Sequence, residues 1–247
     1  MKKIKTITDS TSKEECIREK FWDLFESCPI PPSERLNNIG LFLNRQTLSR
    51  IFFMNKLYQK ILNIHGVIIE FGVRWGQNLS LFSSFRGMYE PYNYNRTIYG
   101  FDTFSGFPKT NVKDGGAVKT VNYSVTEDYM EYLAKILEYH ENESPISHIK
   151  KFQLIEGDAS QTIKTFLKER PETVISLAYF DFDLYQPTKD CLEAILPYCT
   201  KGSILAFDEL NCKYFPGETI AVREVLDLTK YRLQRDRQNP YCSYIKL

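Results

Sequence analysis

Five apolar, β-rich runs of this chain each end on an acid, and those acids are the residues best placed to do chemistry. The first run closes as Glu70-Phe-Gly-Val-Arg-Trp-Gly76 and the second as Gly100-Phe-Asp102. The third gives Glu156-Gly-Asp158, the fourth Asp181-Phe-Asp183 and the fifth Asp208-Glu209. Asp and Glu make up 31 of 247 residues, about one in eight, so acids on five ends of five need a cause. The preference of Asp for strand ends and helix N-caps accounts for two or three of them. Ligands of open α/β sheets bind beyond the carboxyl ends of the strands, which is where these acids would meet.

The spacing of Glu70, Gly72 and Gly76 fits a tight strand-to-helix turn at which backbone approaches a ligand. Arg74 stands where a dinucleotide fingerprint needs its second glycine, and no Gly-Lys-Ser/Thr follows as in a triphosphate loop. A turn that opens on an acid suits positive charge better than pyrophosphate. Asp102 could accept both hydroxyls of a ribose and Asp158 an adenine amino group. Together these residues describe a nucleoside with a cationic, phosphate-free tail, and S-adenosylmethionine meets that description. Arg74 and Trp75 either touch the carboxylate of such a ligand or pack beneath it.

The fourth and fifth run ends form the more specific group. Asp181 and Asp183 share one side of a strand that stays extended, beside Asp208 and Glu209 on the next strand end. Four carboxylates at one rim repel one another unless a cation or protons offset them. Oxygen ligands without His or Cys suit a hard ion such as Mg²⁺. Such an ion could hold a hydroxyl pair and lower the pKa of the attacking oxygen. A carboxylate left uncoordinated could then act as general base, a role worth ~10²–10⁴ in rate. His65, His140 and His148 fall away from this rim and read as surface or core residues. Pro216-Gly217-Glu218 reads equally as an acceptor contact and as a plain helix start.

The elements that must carry these residues follow from periodicity. Strands are expected at Val67–Phe71, Ile98–Phe101, Phe152–Ile155, Ile175–Phe180 and Ser203–Phe207. Each precedes a helical pattern: 78–86, 125–139, 160–168, 187–195 and 219–228. Continuous apolar runs alternating with helices indicate a parallel sheet covered on both faces. The segments 231–235 and 241–246, joined through Gln238-Asn239-Pro240, read as an antiparallel hairpin closing it. The expected class is therefore α/β, with a Rossmann-like, seven-stranded, mostly parallel sheet, helices on both faces and a C-terminal antiparallel hairpin. Two helices precede the first strand: one from about Ser12, an N-cap with Glu15 three residues on, to Ser27, and one over 47–64. The Gly/Lys/Asp-rich stretch 102–124 is too long for an ordinary connection and reads as a lid or binding loop.

Composition removes other classes. With 32 Lys+Arg against 31 Asp+Glu the net charge is +1, too balanced for a nucleic-acid partner. Hydrophobic residues at 43% support a buried core, and no apolar run approaches the ~18 residues of a membrane span. The lysine-bearing N-terminus has no apolar signal region and reads as a solvated tail. Six cysteines lack CxxC spacing and read as free thiols, which points to the cytoplasm.

These motifs resemble the macrocin O-methyltransferase (TylF-like) family, class I S-adenosylmethionine-dependent enzymes that methylate sugar hydroxyls with Mg²⁺. The resemblance rests on VIIEFGVRWGQN (67–78), YGFDTFSGFP (99–108), EGDASQTI (156–163), LAYFDFDLYQPTKDCLEAILP (177–197), GSILAFDELN (202–211) and FPGETIAVREV (215–225). It implies cofactor binding at Glu70, Gly72, Gly76, Asp102, Thr103, Asp158 and Ala159. It places metal ligands at Asp181, Asp208 and Glu209, with Asp183 as the base and Asp181 beside it in catalysis. The implied acceptor is a sugar or nucleotide sugar. A catechol-type methyltransferase and a non-catalytic cofactor-binding protein share the same logic. Two departures stand out: Glu209 replaces the family's second Asp, and Phe182 replaces a glycine between the aspartates. Residues 1–45 match poorly and are expected to form a helical extension for acceptor or oligomer contacts, ahead of a methyltransferase domain over 46–247.

Overall fold

Val, Ile and Phe dominate the segments that pair, and alternate residues along them feed two different cores. In the computed structural model, which describes residues 7, 9–119 and 123–247, seven strands form one sheet. They are β1 (Val67–Phe71), β2 (Ile98–Asp102), β3 (Phe152–Glu156), β4 (Ile175–Phe180), β5 (Cys199–Phe207), β6 (Gln234–Arg235) and β7 (Ser243–Lys246). Their order is β3-β2-β1-β4-β5-β7-β6; the first five are parallel, and β7 runs antiparallel to β5 and β6. The expected fold class is the observed one.

Among the described residues, eight α-helices accompany the strands: α1 (Ser12–Glu26), α2 (Pro32–Asn37), α3 (Arg45–Ile61), α4 (Gln77–Tyr89), α5 (Tyr129–Asn142), α6 (Ala159–Glu169), α7 (Tyr185–Ile195) and α8 (Pro216–Val225). Ile68, Leu177, Tyr179, Ile204 and Ala206 face α3, α4 and α5. Their chain neighbours Ile69, Ala178, Phe180, Leu205 and Phe207 face α6, α7 and α8. This period of two fixes which side of the sheet each strand-end acid leaves from.

Several expected details are corrected. The first helix is capped by Thr11 rather than Ser12, because Glu14 closes a capping box with Thr11. The second long helix begins at Arg45, capped by Asn44, and ends at Ile61. Helix α2 and a 3₁₀ turn at Ile39–Phe42 were not anticipated; Pro32 starts α2 at its first turn, and α1 has already ended at Glu26. The stretch 102–124 contains two 3₁₀ turns, Val112–Asp114 and Ala117–Lys119. Asp114 is buried and accepts from the backbone N–H of Tyr185 at 2.6 Å, which fastens this loop to the start of α7. The lysine-bearing residues 1–6 and loop residues 120–122 lie outside the described residues.

At the opposite end of the sheet, Arg96 is fully buried. Its guanidinium donates to the carbonyls of Ile61, Ile64 and Gly66, to Ser176 Oγ and to Glu90. It thereby ties the end of α3 to the start of β1 and to β4. Replacing Arg96 by Met leaves those acceptors and the Glu90 charge without their donor, at a cost of about 3–5 kcal/mol. Urea unfolding checks this: the midpoint should fall with unchanged slope.

Candidate active site

The carboxyl ends of β1 to β5 open onto a cavity of about 260 Å³. Strands β2 and β3 supply Asp102, Thr103, Asp158 and Ala159 to its lining; β4 and β5 supply Asp181, Asp183, Asp208 and Glu209. It spans the point where the strand order reverses, between β1 and β4.

Gly72 lies at the centre, with φ +86°, and a Cβ there would stand 2.1 Å from the carbonyl oxygen of Asp181. Only glycine lets the turn after β1 run this close to the turn after β4. Gly76, also left-handed, faces Leu133 of α5 and does not line the cavity. Glu70 is likewise outside the lining: it is buried, and its Oε1 accepts from Asn78 at 2.9 Å. Burial pushes its carboxyl well above the usual range. Asp102 receives the backbone N–H of Arg74 at 2.7 Å and of Phe104 at 2.6 Å, so it braces two turns while facing the cavity. Asp158 caps α6 through the N–H of Ser160, the ordinary strand-end role, and also reaches the cavity.

Of the two residues left open at the first turn, Arg74 lines the cavity, its guanidinium 4.6 Å from the ring centre of Tyr123. Trp75 packs edge-on against Tyr129 instead. Glu218 is fully buried and accepts from the backbone N–H of Glu209, so it supports the rim from behind.

The four carboxylates of β4 and β5 do converge, though not as an extended strand would place them. Strand β4 stops at Phe180, and Asp183 has φ +60°. Positive φ at non-glycine residues also occurs at Arg74, Phe104 and Asn211, so a left-handed residue sits in each turn after β1, β2, β4 and β5. Each such residue costs of order 1–3 kcal/mol and is typically retained where a site requires it.

The electrostatics divide this group. Asp208 is buried, which opposes its charge, but Arg50 of α3 outweighs burial by charge and by a 2.9 Å hydrogen bond to Oδ2. Tyr179 and Cys242 both donate to Oδ1, and Asp208 is held below the usual carboxylate range. Asp183 moves the other way: burial, then the charges of Asp181 and Glu209, push it well up. Asp181 is raised by burial and by Asp208, with Arg50 Nη1 at 3.8 Å from its Oδ2. Glu209 is raised by burial, and its Oε2 has no hydrogen-bond partner among the described residues.

Sequence reasoning missed Arg50, Tyr179, Cys242 and Tyr123. A signal existed for Arg50. It precedes Phe53, Met54 and Leu57 by three, four and seven residues, so a charge occupies the buried stripe of α3. The donor chemistry suits a hard cation, since Asp181 and the orphaned Glu209 oxygen offer open positions. Among the described residues, however, no three His, Cys, Asp or Glu side chains are already arranged as a metal cluster.

Comparison with solved structures gives the chain its relatives. It is 42% identical to CalS11, a calicheamicin methyltransferase, at a TM-score of 0.92, covering 100% of this chain and 97% of that one. The apo structure of CalS11, described as a TDP-rhamnose 3′-O-methyltransferase, is 41% identical at a TM-score of 0.86, covering 97% and 96%. The O-methyltransferase NovP shares the fold at 18% identity and a TM-score of 0.60, covering 80% and 79%. No family model and no curated protein sequence matches the chain.

The 2.1 Å approach at Gly72 sets a direct test. Gly72→Ala must part the turns after β1 and β4, and affinity for S-adenosylmethionine should fall at least tenfold, about 1.4 kcal/mol. Calorimetric titration showing unchanged affinity would remove the turn from the site.

Proposed function

Because the chain belongs to the macrocin O-methyltransferase (TylF-like) family of class I S-adenosylmethionine-dependent O-methyltransferases, we propose that it methylates one hydroxyl of a nucleotide-linked sugar, with Mg²⁺ at the acid rim. The observation that carries the acceptor class is full-length identity above 40% to a protein named for action on TDP-rhamnose. The balanced charge supports a small-molecule acceptor over nucleic acid. The six cysteines are free thiols, which supports a reducing cytoplasm as the place of the reaction.

When bound, S-adenosylmethionine supplies an electrophilic methyl group on a positively charged sulfur, and Mg²⁺ would supply Lewis acidity toward the acceptor oxygen. The cavity residues Gly72, Asp102, Thr103, Asp158 and Ala159 hold and orient the nucleoside. Glu70 and Gly76 act from behind, shaping the turn through Asn78 and the close packing of α4 on Leu133. Asp181 and Glu209 would offer oxygens to such an ion, with Asp208 as the third ligand. Asp183 would take the proton of the acceptor hydroxyl whose oxygen receives the methyl group, with the neutral thioether of the cofactor as leaving group. Before any ion binds, burial and then the charges of Asp181 and Glu209 hold its carboxyl well above the usual range. Most of the acceleration comes from holding the two reactants in line.

Residues 1–45 are assigned to acceptor or second-copy contacts. Helix α1 has no buried residue, and Trp22 and Leu36 are 71% and 75% exposed.

Asp183→Asn should abolish methyl transfer while affinity for S-adenosylmethionine stays near wild type; loss of cofactor binding would mean the residue is misassigned. In the wild type the base must be ionised, so kcat/KM should fall as pH drops through its raised pKa. Chelator should inactivate the enzyme and Mg²⁺ restore it, measured on nucleotide-linked sugars; full activity in excess chelator would remove the ion from the reaction.

A further inference from the structure

Arg50 occupies the place where the acid rim most needs positive charge. Its guanidinium lies between two carboxylates, with Nη2 2.9 Å from Asp208 Oδ2 and Nη1 3.8 Å from Asp181 Oδ2. Asp208 has little left to give any other partner. It already accepts from Arg50, Tyr179 and Cys242, and a carboxylate offers about four acceptor positions in all. An ion shared by Asp181 and Asp208 would need the space the guanidinium fills. The three donors differ in freedom: Tyr179 is fully buried and Cys242 is 5% exposed, whereas the Arg50 side chain is 29% exposed and forms part of the cavity wall.

We propose that Arg50 is a displaceable plug of the metal site: its guanidinium and a divalent ion are alternative occupants of the space between Asp181 and Asp208. This rests on the reading of the rim as a Mg²⁺ site and adds to it. With the plug in place, Asp181 and Asp208 share one positive charge and the rim tolerates its own repulsion. When an ion enters, Arg50 gives up Asp208, and Asp208 joins Asp181 and Glu209 as a ligand. The affinity for the ion is then set partly by a residue that never touches it. That residue belongs to α3, the helix preceding the first strand, so the helix registers whether the rim is loaded.

Mn²⁺ is the probe, titrated by electron paramagnetic resonance of the free ion, with no acceptor present. Relative to wild type, Arg50→Gln should bind Mn²⁺ at least tenfold more tightly. Arg50→Lys, which keeps the charge but loses the planar fork, should fall between the two and serves if the Gln variant fails to fold. Adding Asp181→Asn to Arg50→Gln should abolish the gain, which locates the ion. Any lost positive charge favours a cation through the general field, and Arg74 also acts on Asp181 and Asp183 by charge, so Arg74→Gln on the same cavity is the control; its gain should stay well below that of Arg50→Gln. The plug is overturned if Arg50→Gln binds no better than wild type, or if Arg74→Gln gains as much. In either case Mn²⁺ binding by the wild type leaves the metal reading standing. If neither the wild type nor Arg50→Gln binds Mn²⁺, the plug and the metal reading fall together.

Discussion

The repulsion among Asp181, Asp183, Asp208 and Glu209 is the constraint on which the rest of the site depends. Nothing in a parallel sheet favours four carboxylates at one rim; each is raised or held by what surrounds it. Only Asp208 is kept firmly ionised, by Arg50 with help from Tyr179 and Cys242. That arrangement has a further effect on the donors, since burial and the Asp208 charge push the Tyr179 hydroxyl far up and keep it a donor. A buried charge pair of this kind is a poor source of stability for its own sake. Its retention makes sense where the charges are used.

The backbone carries the cost of bringing these groups together. Strand order places β1 beside β4, and the glycine after β1 lets the two turns nearly touch. Left-handed residues at Arg74, Phe104 and Asp183 then redirect the chain so that side chains from three different turns enter one cavity. The long loop after β2 is part of the same construction. Val118 packs in a small apolar cluster with Leu184, Cys212 and Phe215, and Asp114 grips the N–H of Tyr185. The loop is therefore fastened to the residues that immediately follow Asp183, and Tyr123, which it carries, faces Arg74. Rigidity of that kind suits a reaction whose acceleration rests on alignment.

Much of this was legible in the chain because apolar runs and turn acids are local signals. All seven strands and the sheet's antiparallel edge followed from periodicity, and Asp102, Asp158, Asp181, Asp183, Asp208 and Glu209, at the ends of β2 to β5, do line one cavity, while Glu156 does not. Glu70 behaved differently, since the burial that makes it a strand residue also carries it behind the cavity wall. Element boundaries failed where proline was read as a breaker alone, as with Pro32, which starts a helix. The partners of Asp208 were invisible for a plainer reason. Arg50, Tyr179 and Cys242 lie 158, 29 and 34 residues from it in sequence, and no spacing rule reaches so far. Arg50 could still have been suspected from its position on the apolar stripe of α3, where a charge must either find a buried partner or break the helix's packing.

The overall charge of +1 and the acidity of the site are two sides of one design. Neighbouring carboxylates in one dry rim cannot all ionise alike, so the environment drives them apart. Asp208 is stabilised as an anion and Asp183 is pushed toward protonation. A residue poised in this way can accept a proton from a hydroxyl that an isolated aspartate would leave untouched. The same negative surroundings favour the arrival of positive charge, whether a sulfonium or a divalent ion. Arg50 moderates both effects: it offsets part of the rim's repulsion and commits one carboxylate before any ligand binds. The chemistry of the site is thus set less by any single acid than by how one arginine divides its charge among them.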